Sequence, residues 1–421
     1  MEQRGGIALC PQETLLYIFS YLEYGHLVKL IPVCRSWNAL LSSEVVWKGY
    51  CSKYKLTRDF FEMPPSASSK ELFRNFHTQF LGYTEEFPRL FGVLLNFKNW
   101  LEANKEQFHF RIRTGVSRER LEAFRKDLET LLKVKDLTLP KDFCCWYLLM
   151  NGQHRGDPGF FGYYAFYDYY ADLFLLDTDI IMANMKELVA RNYFPGVLPF
   201  ATGGVRIISL VLNPSQPGLS QFSKGYVVSN KEGKNTYFPL AESFYAYVKH
   251  HVDNLLSGNL VVKDHSICLF PRLNIPTATT ENVKISVSTL YIPEKSTNIK
   301  HLYTYSISME MDSEVEADKY DCQLETRHWD ITSNGRTETV DGPGVIGEYP
   351  EVFPGSFFSY ESCCPLLVPT GTMGGSFCMR RARDNGRFNA IVPTFTFSPP
   401  PLITEQMVAQ NETQQQDPMN K

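Results

Sequence analysis

Residues 327–348, RHWDITSNGRTETVDGPGVIGE, decide the architecture of the C-terminal part of the chain. Trp329 and Ile331 lead into Asn334-Gly335, a pair that tolerates the positive φ of a tight hairpin, and Thr337 to Val340 return as the partner strand. Outward from this hairpin, Val283, Ile285 and Val287 alternate with Lys284, Ser286 and Ser288. Tyr303, Tyr305, Ile307 and Met309 likewise alternate with Thr304, Ser306, Ser308 and Glu310. A period of two predicts half-buried strands, and many short strands with few helices predict an antiparallel sandwich. The hairpin runs into Gly342-Pro-Gly-Val-Ile-Gly347, which has the G-x-G-x-x-G spacing of a dinucleotide loop. Such a loop must open a helix, and Glu348-Tyr349-Pro350 does not, so the Rossmann reading fails. Two readings remain. The glycines serve a tight turn or bulge, or Gly342, Gly344 and Gly347 form a candidate phosphate-binding loop of backbone N–H groups.

Arg327-His328-Trp329, Asp341 to Glu348, Pro350, Pro354-Gly355, Tyr360-Glu361-Ser362, Thr370-Gly371, Met373-Gly374 and Ile391-Val392-Pro393 with Phe395 together resemble the ApaG domain, over residues 280–401. The resemblance implies a fibronectin type III-like β-sandwich whose glycine loop is linked to phosphate or pyrophosphate. Residues 263–279, with Pro271, Pro276 and a threonine cluster, read as the linker before it.

At the other end, residues 9–48 read LCPQETLLYIFSYLEYGHLVKLIPVCRSWNALLSSEVVWK, and the period becomes helical: Leu15, Ile18, Phe19 and Leu22 fall at i, i+3, i+4 and i+7. Pro11 suits a helix start, and Glu13 sits at the positive end of its dipole. Gly25 predicts a turn before a helix through Leu27, Leu30 and Ile31, Pro32 ends that helix, and a third follows over 36–41. A unit of about 45 residues cannot bury so many large apolar groups by itself, so part of this face needs a partner. Leu9, Pro11, Glu13, Leu15, Ile18, Phe19, Leu22, Leu27, Val33-Cys34-Arg35, Trp37 and Trp47 resemble the F-box. That implies a trihelical unit in residues 1–60, docking on a Skp-type adaptor through Leu9, Pro11, Leu15, Ile18, Phe19, Leu22, Leu27, Leu30, Val33, Trp37 and Trp47. Cys10, inserted between Leu9 and Pro11, and His26, in place of a common acidic residue, depart from the pattern. The alternative is a helical cap packed on the rest of the chain.

Between these ends, residues 61–110 read as a helical linker region in which Leu72, Phe73, Phe76 and Phe80 share one face. Ser117 caps a helix striped by Leu121, Phe124, Leu128 and Leu131. Another opens at Pro140, carries Phe143, Trp146, Tyr147 and Met150 on one side, and stops at Asn151-Gly152. Gly115-Val116-Ser117, Leu139-Pro140 with Phe143, and Asn151-Gly152-Gln153 resemble the start of a SUKH-type domain, which implies a mixed α/β protein-binding fold over 111–262. The aromatic run from Gly159 to Tyr170 reads either as core or as a docking surface, with Phe160, Tyr163, Tyr164 and Tyr167 as candidate contacts. His250-His251 reads as a solvated pair, and Asp168, Asp172, Asp177 and Asp179 lack the glycine loop of a calcium site, so no metal is expected.

The 421 residues, 43% hydrophobic and 14% aromatic, exclude a mainly disordered chain and call for two to four domains. With 42 Lys and Arg against 46 Asp and Glu, the formal charge of -4 argues against nucleic acid as a partner. No signal peptide or membrane span is read, and ten cysteines without a CxxC fit reduced thiols in cytoplasm or nucleus. Cys144-Cys145 and Cys363-Cys364 read as core. Arg380, Arg381, Arg383 and Arg387 read as a solvated cluster or a grip on phosphate, and residues 402–421 as a disordered Gln-rich tail. No G-x-S-x-G, P-loop or H-E-x-x-H is present, so no catalytic residue and no cofactor is expected. F-box, SUKH-like and ApaG-like units in this order resemble the F-box only protein 3 group, a multidomain α+β architecture. The resemblance implies a non-catalytic receptor that joins a Skp-type adaptor and cullin–RING ligase to unidentified protein substrates, away from membranes. The alternative is a phosphate or nucleotide-polyphosphate sensor built on the glycine loop.

Overall fold

The computed structural model describes residues 10–191, 196–231, 236–297, 299–316 and 319–407. Six helices come first: α1 (Gln12–Ser20), α2 (Tyr24–Leu30), α3 (Arg35–Leu41), α4 (Glu44–Lys53), α5 (Ser69–Phe80) and α6 (Phe87–Ala103). Gly25 lies inside the first turn of α2 and makes no turn of its own. A capping box starts α5: Ser68 Oγ accepts from the Glu71 N–H at 3.2 Å, and Glu71 Oε2 accepts from the Ser68 N–H at 2.7 Å.

The segment expected to be a linker is instead a hub. Phe73 of α5 packs against Trp47 and Tyr50 of α4, at 5.8 and 5.2 Å between ring centroids, while Phe97 of α6 meets Phe160 at 4.8 Å. With Leu72, Phe76, Phe80, Phe87, Leu90 and Leu94 also buried, α5 and α6 carry a single apolar core from Leu15 through to Ile267. The surplus of apolar surface on the N-terminal helices is therefore partly absorbed within the chain.

The central unit comprises β1 (Ile112–Thr114), α7 (Arg118–Leu132), α8 (Lys141–Leu149), β2 (Met150–Gln153), β3 (Tyr163–Phe166), β4 (Tyr169–Asp172), β5 (Phe174–Leu175) and α9 (Thr178–Ala190), followed by β6 (Val197–Gly203), β7 (Arg206–Val211), β8 (Val227–Lys231), β9 (Phe238–Ala241), α10 (Phe244–Leu256), β10 (Val261–Lys263) and β11 (Ser266–Cys268). Strands β5 to β9 form an antiparallel five-stranded meander; β10-β11-β3-β4 form a second sheet and β1-β2 a third. Helix α8 is buried on every side after Lys141, because α5, α6, α7 and α10 all contact it, and it passes straight into β2 without a loop at Asn151-Gly152. Cys144 and Cys145 are core residues, and burial pushes the Cys144 thiol up to about 12.

The C-terminal unit holds β12 (Thr277–Thr280), β13 (Val283–Tyr291), β14 (His301–Glu310), β15 (Cys322–Ser333), β16 (Arg336–Pro343), β17 (Glu351–Val352), β18 (Phe357–Leu366), β19 (Gly371–Arg381) and β20 (Arg387–Phe397). They form two antiparallel sheets, β12-β13-β14-β18 and β16-β15-β19-β20, with β17 paired to the end of β15. The β15–β16 hairpin turns at Asn334 (φ 51°) and Gly335 (φ 71°), as its sequence predicts. Strand β14 departs from the half-buried expectation: Thr304, Ser306 and Ser308 are buried as well, since the central unit covers that face and the Thr304 hydroxyl donates to Ala165 O at 3.0 Å. Residues 401–407 are helical, with Ile403 buried in the sandwich core, so the expected disordered tail does not begin at 402; its remainder, 408–421, lies outside the described residues.

The sandwich and central unit meet through a small core of their own, in which Tyr163, Tyr164, Phe166, Phe270 and Ile292 pack together. At its centre the Glu294 carboxylate, with no exposed side-chain surface, accepts from the hydroxyls of Tyr164 and Tyr169 and lies 3.8 Å from Arg206 Nε.

Candidate functional site

Two surfaces stand out. On the N-terminal helices, Leu15 and Phe19 point inward and the Phe19 ring meets Trp37 edge-on at 5.2 Å. Trp47 Nε1 donates to Leu41 O at 2.8 Å, and Tyr50 Oη donates to Leu22 O at 2.5 Å, closing α1, α3 and α4 on each other. Of the proposed adaptor contacts, Leu15, Phe19, Leu27 and Trp47 are therefore corrected to core residues that shape the surface from beneath. Leu22, Leu30 and Trp37 are half-buried, Pro11, Ile18 and Val33 are exposed, and Leu9 lies outside the described residues. The structure adds Tyr17 and Tyr21, 65% and 71% exposed, which flank Ile18 with their rings 5.0 Å apart, and Val45 at the start of α4. Their signal in the sequence was a helix apolar on more than one face, which requires a second contact.

The second surface is a cleft in the sandwich. On one side the two sheets are stitched together: the Ile391 N–H donates to Thr280 Oγ1 at 3.1 Å, joining β20 to β12. On the other side they diverge between β16 and β18, leaving a cavity of about 900 Å³. Trp329, Val340 and Tyr360 are among its walls, Arg327 and Arg336 stand in it, and Tyr167 reaches in from the central unit. Tyr167, 67% exposed at the tip of the β3–β4 hairpin, accepts a hydrogen bond from Ser362 Oγ at 3.1 Å. Phe160, Tyr163 and Tyr164 are corrected to buried residues: Phe160 packs against Phe97 of α6 and His251 of α10, while Tyr163 and Tyr164 of β3 lie in the junction core with the sandwich; of the four candidate docking aromatics only Tyr167 faces outward.

The glycine loop closes one end of this cleft. Two of its amides are engaged within the protein: Gly344 N–H donates to Glu325 O at 2.9 Å and Val345 N–H to Glu348 O at 2.9 Å. Arg327 Nη1 donates to Pro343 O and Gly344 O, both at 2.8 Å. The geometry is that of a folded turn, with its carbonyls on a guanidinium, and it offers few of the converging N–H groups a phosphate cradle needs. Gly344 has φ 53°, and a Cβ there would lie 2.4 Å from Glu348 O. Gly344→Ala is accordingly expected to lower stability by about 1–3 kcal/mol; an unchanged urea midpoint would refute this account of the loop.

The arginine cluster is paired, Arg380 and Arg387 to Glu325, Arg381 to Glu281 and Arg383 to Asp384, so it is no open phosphate grip. His328, half-exposed on the outer face of β15, shares its ring nitrogens between Asp341 at 2.8 Å and Asp330 at 3.5 Å, and the hydrogen bond to Asp341 holds its pKa above the usual value. His251 is buried rather than solvated, its ring between those of Phe160 and Phe161. Among the described residues no cluster of His, Cys, Asp and Glu could hold a metal ion, and no helix is long and apolar enough to cross a membrane.

Comparison with known proteins places family names on both surfaces. The ApaG domain model matches residues 293–381 and an F-box-like model matches residues 9–53. F-box only protein 3 of Homo sapiens is 27% identical over 402 residues, covering 93% of this chain and 82% of that protein. Protein ApaG of Maricaulis maris is 42% identical over 119 residues, 28% of this chain and 88% of that one, and Protein ApaG of Sinorhizobium fredii is 36% identical over 129 residues, 30% and 95% of the two chains.

Proposed function

Because this chain is a homologue of F-box only protein 3 whose sandwich belongs to the ApaG family, we propose that it is the substrate receptor of a Skp–cullin–F-box ubiquitin ligase. The observation that supports this most is the set of exposed apolar side chains Tyr17, Ile18, Tyr21, Val33 and Val45, left on an F-box-like unit whose other side is buried in the body of the protein. Several large apolar side chains exposed on so small a unit point to a docking site, and a Skp-type adaptor is the occupant the family implies. The central mixed α/β unit, read as SUKH-like, and the sandwich would hold the target. Ubiquitin transfer is then assigned to other subunits, and the receptor contributes proximity by raising the effective concentration of a target lysine. The phosphate-sensor alternative is not favoured, since the Gly344 and Val345 amides are engaged inside the protein and the loop is folded as a turn.

Ile18→Asp tests the proposal, because Ile18 is exposed and its replacement leaves the core intact. Co-purification of adaptor and cullin is expected to fall at least about tenfold, the effect of a buried charge costing some 1.4 kcal/mol or more, with an unchanged melting temperature. Phe19→Asp would instead unfold the helical unit and report nothing about docking. Retention of adaptor by Ile18→Asp and by Tyr21→Asp together would sink the receptor assignment.

A further inference from the structure

The open side of the sandwich has the form of an unfinished sheet. β18 ends the order β12-β13-β14-β18, and β16 ends the order of the facing sheet. Among the described residues no strand pairs with the outer edge of β18 (Phe357–Leu366), so its alternate residues that do not bond β14 turn their C=O groups, and all but Pro365 their N–H groups, outward; Tyr360 and Ser362–Leu366 of this strand border the cleft. A strand added there would stand opposite the inner face of β16 and direct alternate side chains into the cavity of about 900 Å³. Two polar groups inside it are unmatched. Tyr360 lines the cavity and is 3% exposed, yet its hydroxyl has no hydrogen-bond partner. Arg327 makes no ion pair among the described residues, and only its Nη1 is engaged in hydrogen bonds. With Arg336 at the rim, the two arginines outnumber the single acidic residue of the lining, Glu338.

We infer that this cleft takes an extended peptide of a partner protein, added to β18 as a further strand, with apolar side chains at alternate positions and one carboxylate among them. The main-chain edge supplies affinity, the Trp329 and Val340 wall receives the apolar side chains, and the carboxylate accepts from the Tyr360 hydroxyl and the free N–H groups of Arg327. Identifying this peptide as part of a ubiquitination target rests on the receptor proposal. The binding itself does not, and it is measured without adaptor or cullin.

The experiment screens the full-length protein against two ten-residue peptide libraries, one with Glu and one with Gln fixed at the centre. Enrichment from the Glu library of sequences with alternating apolar residues is expected. N-methylation of one alternate set of amides in an enriched peptide should then weaken binding at least tenfold, while methylation of the other set changes it less than twofold. Tyr360→Phe, which removes only the unmatched hydroxyl, should reduce the preference for Glu over Gln at least threefold. No enrichment, or equal loss from both methylated sets, overturns the inference. So does a thermal shift with inorganic pyrophosphate and no enriched peptide, which assigns the cleft to a small anion. Self-association abolished by Arg336→Glu assigns it to a second copy of the chain and overturns the inference equally.

Discussion

Replacing Glu294 with alanine is expected to lower the unfolding free energy by about 3–5 kcal/mol, the usual consequence of removing one partner of a buried ion pair. The carboxylate is fully buried, two tyrosine hydroxyls donate to it, and Arg206, whose side chain is 11% exposed, loses its counter-charge when it goes. Ser229 Oγ at 3.1 Å still accepts from Arg206 Nε but brings no charge. Glu294 sits on the sandwich side of the contact, while Arg206, Tyr164 and Tyr169 sit on the central side, so the damage is concentrated at the junction. Glu294→Gln keeps an acceptor for the tyrosines and should cost less, roughly 1–3 kcal/mol. Urea denaturation measures both, and limited proteolysis should release the sandwich from the alanine variant first. A loss below about 1 kcal/mol in the alanine variant would show that the network does not hold the two units together.

Acid should act through a different residue. Burial pushes the His251 imidazole down to about 4, with a backbone hydrogen bond to Phe160 offsetting this in part and neighbouring His250 adding to it. His251 is thus neutral in the folded protein near pH 7, whereas the unfolded chain takes up a proton below its ordinary value of about 6.5. Stability is therefore present above pH 6.5 and lost as pH falls through the window from 6.5 toward 4. The loss reaches about 2 kcal/mol at pH 5 and about 3 kcal/mol at the lower end, at 1.36 kcal/mol per unit. His251→Gln retains a hydrogen-bond donor but does not titrate, so the difference in urea midpoint between wild type and variant should change with pH over that window. A constant difference from pH 7.5 to 4.5 would remove His251 as the cause.

The sequence made the β15–β16 hairpin legible because its information is local: Asn334-Gly335 accepts a backbone that few pairs tolerate, and the alternation on either side sets the register. The cap at Ser117 belongs to the same class, since it depends on a residue three positions away. What escaped was set by burial from distant elements. A helical stripe such as Phe73 and Phe76 does not say which partner it meets, and 61–110 read as linker although it forms the hub. Phe160, Tyr163 and Tyr164 are aromatic like Tyr167, and only packing against distant elements, α6 and α10 over Phe160 and the sandwich over β3, separates the three that are covered from the one that is not. His251 next to His250 presents an identical ring at a different depth. The cleft was unreadable for a further reason: it arises from the divergence of two sheets, and no residue in it announces a vacancy between layers.

The core that runs unbroken from Leu15 to Ile267, together with the Glu294 junction, also bears on geometry at larger scale. A receptor jointed by a loose tether would let its cargo swing, and lysines over a wide arc would come within reach of the transfer centre in turn. A stiff jib holds its load at one radius. On the proposed receptor role, a target seated in the sandwich should have few lysines modified, set by their distance from the seat. Loosening the jib at Glu294 should scatter the modification over more sites without changing what is seized.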